Sequence, residues 1–173
     1  GEGFSCGLRD DDKIACWGTN GSGQTKAPAG SFKALSSGAS HSCALAANNS
    51  IKCWGKKDAG QSSPPAGSFE AIASGRDFSC GVRKGGLVAC WGTNDAGQAT
   101  ALTGNFSTLS AGDEHVCGVR PNREMDCWGH NVFGQATPAT GISNGVSVGG
   151  EHTCERRSDD QVACWGFNGS GQS

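Results

Sequence analysis

The chain has 173 residues, 17% of them charged, and a formal net charge of −2 at pH 7. This balance excludes the basic footprint of a nucleic-acid-binding protein or of one held on an anionic membrane. No apolar run is long enough to cross a bilayer. The 29 glycines and the lack of tyrosine are atypical of a helical protein, and the length suits one domain of ordinary size.

A 37-residue repeat fills the chain. Its second cysteine follows the first by 10 residues and is always followed by Trp-Gly, and a Gly-Gln pair comes shortly after. The five cysteine pairs are Cys6 and Cys16, Cys43 and Cys53, Cys80 and Cys90, Cys117 and Cys127, and Cys154 and Cys164. The repeats occupy residues 1–30 (partial), 31–67, 68–104, 105–141 and 142–173 (partial) of a single repeat domain.

The second repeat shows the predicted elements in chain order. Phe32 begins a strand that ends at Gly38, and a second strand runs from about His41 to Leu45. Residues 46–50 have the composition of a turn, and a third strand covers residues 51–54. Residues 55–65 are rich in Gly, Ser and Pro, with room for one short edge strand.

A single hairpin register accounts for the cysteines. If the turn is centred on Asn48, Cys43 lies opposite Cys53 and Leu45 lies opposite Ile51, on the same face of the sheet. The register predicts a disulfide within each repeat, worth about 2.5–3 kcal/mol in the chain-entropy model. Ten regularly spaced cysteines indicate an oxidising compartment, whereas a zinc site would usually show Cys-x-x-Cys pairs, and none occurs.

Both faces of each predicted sheet are apolar, so each sheet needs neighbours on two sides. Stacked blades meet this need, and a ring also removes the exposed ends. An open array would satisfy the same interior pattern. We therefore predict an all-β protein with about five blades of three to four antiparallel strands, the first incomplete.

The run Gly-x-x-His-Ser-Cys-Ala-Leu, a short turn and Ile-x-Cys-Trp-Gly, over residues 38–55, resembles the regulator-of-chromosome-condensation repeat. The run from Asn20 to Gln24 fits it loosely. The resemblance covers the whole chain and implies a β-propeller, usually of seven blades. The paired-cysteine version is most similar to plant crinkly-type receptor kinase ectodomains and related secreted bacterial proteins. The family includes a nucleotide-exchange factor, a β-lactamase inhibitor and receptor ectodomains, so the resemblance does not fix a function. The disulfides disfavour the nuclear exchange role.

Two departures from the repeat mark the ends. The first repeat lacks its opening strand, because Gly1 aligns with Gly38. The fifth repeat carries Glu155 and Arg156 where the template has Ala44 and Leu45. A buried unpaired arginine is costly, so we predict that Glu155 and Arg156 mark an exposed edge or interface. The junction of the first and fifth repeats should then be the weak point, bridged by a segment outside this sequence, by a partner chain or by solvent at an open end. Arg156 should lie at that junction, paired with a carboxylate or facing water.

Other recurring residues allow a packing or a chemical interpretation. The tryptophan column could stack sugars, but a residue present in every repeat favours burial between sheets. Three histidines share a column with Phe4 and Phe78, which favours packing over metal binding or catalysis. Acidic runs such as residues 10–12 lie in hairpin turns and lack calcium-loop spacing. We expect no catalytic residue, no cofactor and no metal.

Four candidate N-glycosylation sites are present: Asn20, Asn48, Asn105 and Asn168. Together these features favour a secreted, extracellular binding scaffold whose loops recognise a protein or glycan ligand. We expect it to be no enzyme, to bind no nucleic acid and to insert into no membrane. The alternatives are a carbohydrate-binding lectin and a structural subunit that self-associates through the incomplete blade. Glycan-array binding would favour the former, and particle size would favour the latter.

Overall fold

The computed structural model describes residues 1–139 and 141–173, and their regular structure is fourteen short β-strands. No helix capable of spanning a bilayer occurs in the described part of the chain. The strands form five separate antiparallel sheets, which we call blades 1 to 5. Blade 1 has two strands and each of the others has three, in the order of the chain.

The strand bounds follow the 37-residue repeat. Blade 1 contains β1 (Phe4–Leu8) and β2 (Ile14–Gly18). Blade 2 contains β3 (Phe32–Ser37), β4 (His41–Ala46) and β5 (Ile51–Gly55). Blade 3 contains β6 (Phe69–Ser74), β7 (Phe78–Arg83) and β8 (Val88–Gly92). Blade 4 contains β9 (Thr108–Ala111), β10 (His115–Val119) and β11 (Met125–Gly129), and blade 5 contains β12 (Ser143–Val148), β13 (His152–Arg157) and β14 (Val162–Gly166).

The described segment between β5 and β6 contains no fourth strand. Residues 56–65 instead fold into consecutive turns, in which Gly60 N–H donates to the Lys57 carbonyl and Ser63 N–H donates to the Gly60 carbonyl, each at 2.9 Å. Proline and glycine disfavour a regular ladder in such a segment. Within the part of the chain that the structure describes, no blade has more than three strands.

The hairpin register is the one that the cysteine spacing predicts. Cys43 pairs with Cys53 and Leu45 pairs with Ile51, and the other four hairpins repeat this register. Each blade is closed by a disulfide between cysteines 10 residues apart: Cys6–Cys16, Cys43–Cys53, Cys80–Cys90, Cys117–Cys127 and Cys154–Cys164. None of the ten cysteines is free.

The core lies between successive blades. In one cluster, Leu45 and Ile51 of blade 2 pack with Phe69 and Trp91 of blade 3. The indole Nε1 of Trp91 also donates to the backbone carbonyl of Gln61 in the preceding blade at 2.8 Å. The tryptophans of blades 2, 4 and 5 make the same bond to the preceding glutamine, at 2.8–3.1 Å. The column of tryptophans thus joins each blade to the one before it.

Trp17 departs from the predicted burial of the tryptophans. Trp54, Trp91 and Trp128 are buried, as expected, but Trp17 is 59% exposed. The reason is that the tryptophan face of a blade packs against the preceding blade, and the described chain places no blade before the first. The local structure of Trp17 is the same as in the other repeats, because β2 keeps the common register. Its exposure therefore comes from the place of blade 1 at the end of the described array.

The fifth blade corrects one expectation and supports another. Arg156 is exposed, opposite Val162, which is 68% exposed. Glu155 is instead buried, at 4% exposed, so the expectation that it marks an exposed edge is wrong, while its assignment to an interface stays a prediction. Strand alternation turns Glu155 to the same face as Thr153, whose hydroxyl donates to the Gln135 carbonyl of blade 4. Each blade packs on the next one along the chain, and among residues 1–139 and 141–173 no comparable packing joins blades 1 and 5.

Candidate interaction face

A hydrogen-bonded rim of backbone lines the centre of the blade array. The backbone N–H of each rim residue donates to the backbone carbonyl of the equivalent residue in the next blade, at 2.8–3.2 Å between N and O. The bonds run from Glu2 to Ala39, from Ala39 to Arg76, from Arg76 to Asp113 and from Asp113 to Gly150. These positions recur every 37 residues. They border a cavity of about 250 Å³ whose other lining residues are largely glycine, serine and alanine. Arg76 bridges the rim, with nitrogen atoms 3.4 Å from Asp113 and 3.9 Å from Glu2.

Glycines permit the close packing around this rim. A Cβ atom on Gly38 would lie 2.8 Å from Nδ1 of His41 and would also collide with the backbone of Gly75 in the next blade. The histidine ring therefore needs glycine at this position. The rim glycines and the rings of the residues three positions later, His41, Phe78, His115 and His152, thus form one tightly packed layer.

One face of the array is formed by the loops that follow the third strand of each blade. We call it the loop face. It comprises residues 19–24, 56–61, 93–98, 130–135 and 167–172. In four of these loops an asparagine Oδ1 accepts a backbone N–H five residues later, as Asn94 does from Ala99 at 2.8 Å. The glutamine Oε1 accepts the N–H of the residue two before it in all five.

The Asn-x-x-Gly-Gln run is thus a structural device of the loop face. Its glutamine is buried in blades 1 to 4. The backbone carbonyl of this glutamine accepts a hydrogen bond from the indole N–H of the tryptophan in the next blade. Two of the candidate glycosylation sites, Asn20 and Asn168, are loop asparagines of this kind, and both are exposed. Asn48, at a hairpin turn, and Asn105 are exposed as well. Glycan occupancy at the four sites stays a prediction.

The histidines are held as packing residues. Nε2 of His41 lies 2.8 Å from the Ser79 hydroxyl, and Nε2 of His115 lies 2.9 Å from the Thr153 hydroxyl. Burial lowers the pKa of His41 and of His115 to about 4, so both rings are neutral at physiological pH. No cluster of three or more potential metal-ligating side chains occurs among residues 1–139 and 141–173.

The acidic hairpin turns have a conformational explanation. Asp12 and Asp160 have positive φ angles of 61° and 63°, which aspartate tolerates better than most residues. Asp11 lies beside Arg9 and Lys13, at 3.5 and 3.6 Å. These turns lie at hairpin tips, away from the loop face.

The blade 4 and blade 5 sector of the loop face differs from the rest. Val132 is 75% exposed and Phe133 is 43% exposed. The rings of Phe133 and Phe167 lie 5.0 Å apart between centroids, and the His130 ring lies 6.4 Å from Phe133. The shared repeat pattern does not predict this cluster, and a comparison of the five loops position by position would have found it.

Acidic side chains adjoin this cluster. Glu114 and Glu151 line one cavity of about 90 Å³ together with His130, Gln135, Arg76 and Asp113. The His130 N–H donates to the Glu114 carbonyl at 2.8 Å, and the Phe167 N–H donates to the Glu151 carbonyl at 2.9 Å. The aromatic loops and the acidic residues are therefore parts of one surface.

Comparison with known proteins identifies the repeat. The model of the regulator of chromosome condensation (RCC1) repeat matches residues 1–24, 32–61, 69–98 and 106–135. The fifth repeat, which carries Glu155 and Arg156, lies outside these segments. A search of curated protein sequences finds no significant match.

Solved structures agree on the fold. The ectodomain of the receptor kinase CR4 from Physcomitrella patens is 30% identical with a TM-score of 0.83, and the alignment covers 98% of this chain and 51% of that one. The CRINKLY ectodomain of the Arabidopsis thaliana receptor kinase ACR4 is 26% identical with a TM-score of 0.79, covering 96% and 63%. Yeast RCC1 (Prp20), solved with Kap60 bound, is 16% identical with a TM-score of 0.83, covering 96% and 55%, and shows the fold alone.

This chain spans about half to two thirds of the length of those proteins. The matched segments make up well over half of its own length, and the second, third and fourth segments begin 37 residues apart, as β4, β7, β10 and β13 do. The chain therefore belongs to the regulator of chromosome condensation repeat family, as a β-propeller protein in which a disulfide closes every blade.

Proposed function

We propose that this chain is an extracellular recognition scaffold that binds a protein partner through the loop face. The observation that carries the proposal is the combination of five intra-blade disulfides with a fold matching two receptor kinase ectodomains. Disulfides at this density are typical of proteins in oxidising compartments. Rigid frames of this kind commonly place recognition in their loops.

The proposed role requires no chemistry from the chain. Its buried histidines and recurring glutamines have packing partners, and the tryptophans of blades 2 to 4 are buried between sheets rather than displayed. Sugar stacking on the tryptophan column therefore has little support. We propose binding without catalysis, and we leave self-association through blade 1 as a prediction that sizing at increasing concentration would test.

The proposal is tested by screening the oxidised chain against a displayed library of extracellular domains from the source organism. We expect at least one protein ligand with a micromolar or lower Kd. Reduced and alkylated chain is the control, because loss of the disulfides should unfold the blades and abolish binding. If no protein ligand binds, or if the reduced chain binds equally well, the proposal is wrong.

A further inference from the structure

The loop face carries a chemical asymmetry that the fold does not require. The loop of blade 3 contains Asp95 and Ala96 where the loop of blade 4 contains Val132 and Phe133. The backbone bonds of the two loops are nonetheless the same. Ala96 N–H donates to the Gln98 Oε1 at 2.8 Å, and Phe133 N–H donates to the Gln135 Oε1 at 2.9 Å.

The other loops confirm that small or polar residues suffice at these positions. Blade 2 has Asp58 and Ala59, and blade 1 has Gly21 and Ser22. At the first loop position, Phe167 of blade 5 replaces Thr19, Lys56 and Thr93. The backbone bonds of the loop do not depend on these apolar side chains, and an exposed apolar cluster costs solvation free energy. Such clusters are typical of surfaces that are covered on binding.

The charges beside this cluster are also unbalanced. In blade 3 the equivalent acid, Asp77, is neutralised by Lys56 at 3.5 Å and accepts a hydrogen bond from Gln61 at 3.0 Å. The positions equivalent to Lys56 beside Glu114 and Glu151 are occupied by Thr93 and His130. Within the described residues, neither Glu114 nor Glu151 has a cationic partner within salt-bridge distance.

The surface thus combines an apolar and an anionic half. We define the aromatic–acidic patch as Val132, Phe133, Phe167, Glu114 and Glu151, with His130 between the two halves. Its only neighbouring cation in the described cavity lining is Arg76, which already lies beside Asp113 and Glu2. A complementary ligand must present positive charge next to an apolar side chain.

We propose that the aromatic–acidic patch is the docking site for a protein segment that carries an arginine or lysine next to an aliphatic or aromatic residue. The apolar side chain covers Val132 and Phe133, and the cation lies between Glu114 and Glu151. Burial of apolar area supplies affinity, and the charge complementarity supplies orientation and selects against acidic segments. This proposal rests on the proposed function, because it names the site and the chemistry of the protein partner.

The experiment is a selection of random dodecapeptides displayed on phage against the oxidised chain. We expect the selected peptides to be enriched in arginine or lysine adjacent to an apolar residue. The V132D/F133A variant carries the blade 3 residues at the same loop positions, so its backbone is expected to be unperturbed. It should lose at least about tenfold in affinity for the selected peptides.

A second variant tests the contribution of the acidic half of the patch to peptide binding. Glu114→Gln/Glu151→Gln should lower the affinity for the same peptides about tenfold at low salt. The loss should be smaller at high salt, because salt already screens part of the electrostatic attraction in the parent chain. Asp58→Asn, on the loop face of blade 2, is the matched control and should leave binding unchanged. Circular dichroism and the thermal unfolding midpoint of each variant show whether the fold is retained.

The outcomes distinguish the two proposals. Peptides that bind the V132D/F133A variant as tightly as the parent chain would overturn the patch while leaving the proposed function in place. Selected peptides without the cationic–apolar pairing would overturn the stated partner chemistry. Binding of an arrayed glycan that is lost in V132D/F133A, without any peptide binding, would assign the patch to sugar instead. If neither the peptides nor the extracellular domain library bind, the proposed function itself fails.

Discussion

The indole Nε1 of Trp54 donates to the backbone carbonyl of Gln24 at 2.8 Å, across the boundary between blades 1 and 2. This bond links two conspicuous residues of the repeat, the tryptophan after the second cysteine and the glutamine of the loop face. It explains why both recur at a fixed spacing. The acceptor is a main-chain carbonyl, so the bond depends on the conformation of the loop, which the Gln24 side chain holds by accepting the Ser22 N–H at 2.8 Å.

The tryptophan bond can be tested by comparison within the chain. Trp91→Phe should lower the free energy of unfolding by about 1–2 kcal/mol, because it removes buried atoms and the bond to Gln61. Trp17→Phe should change it by less than about 0.5 kcal/mol, because Trp17 is 59% exposed. Urea unfolding followed by circular dichroism measures both. Equal losses in the two variants would show that Trp17 is buried in solution.

The disulfides should stabilise the fold mainly by lowering the conformational entropy of the unfolded chain. Cys80→Ala/Cys90→Ala opens a loop with a sequence separation of 10 and should cost about 2.5–3 kcal/mol of unfolding free energy. Cys154→Ala/Cys164→Ala opens a loop of the same separation. It should cost somewhat less, because Cys80 is fully buried and Cys154 is only half-buried. A negligible loss in both double variants, by urea unfolding, would contradict the loop-closure argument.

The register of these hairpins could be predicted from the sequence because strand alternation links Cys43–Cys53 to Leu45–Ile51. The environments of Trp17 and Glu155 could not, since both depend on which blade faces them. Glu155 replaces a buried alanine, but only the structure shows that its face is directed toward blade 4. The aromatic–acidic patch could not be predicted from the repeat for another reason: Val132 and Phe133 are residues that the five loops do not share.

Arg123 occupies an unfavourable backbone conformation, with φ of 67° at the fourth hairpin turn. The equivalent residues in the other repeats are Asp12, Asn49, Gly86 and Asp160, which tolerate positive φ better. Arg123→Gly should therefore raise the free energy of unfolding by about 0.5–1 kcal/mol. Arg123→Ala is the control and should give no such gain, because alanine keeps the Cβ atom. Urea midpoints at constant m-value measure both, and a loss in Arg123→Gly would show that the exposed hydrogen bond to Asn144 outweighs the strain.

The buried histidines predict a loss of stability in acid. In the unfolded chain a histidine titrates near its ordinary pKa of about 6.5, but burial lowers the pKa of His41 and His115 to about 4 in the folded chain. Below pH 6.5 the unfolded state therefore binds protons that the folded state does not. Stability should be complete above this pH and fall until pH 4, by roughly 3 kcal/mol for each histidine. Urea unfolding from pH 8 to pH 4 measures the slope, and a flat profile would contradict the burial of neutral rings.

The chain itself supplies a variant that separates these histidines from the carboxyl groups that also titrate in acid. His115 and Thr153 meet across the boundary of blades 4 and 5, whereas Phe78 and Val116 occupy the equivalent positions at the boundary of blades 3 and 4 and share one core cluster. His115→Phe/Thr153→Val therefore copies a junction that the fold already accommodates. It should keep the free energy of unfolding of the parent chain near pH 8 to within about 1.5 kcal/mol, because both partners of the hydrogen bond are replaced by apolar groups. Between pH 6.5 and pH 4 its free energy of unfolding should fall by roughly 3 kcal/mol less than that of the parent chain. The reason is that the variant lacks one histidine that binds a proton in the unfolded state but not in the folded state. A variant whose acid profile parallels that of the parent would assign the acid sensitivity to carboxyl groups rather than to His115.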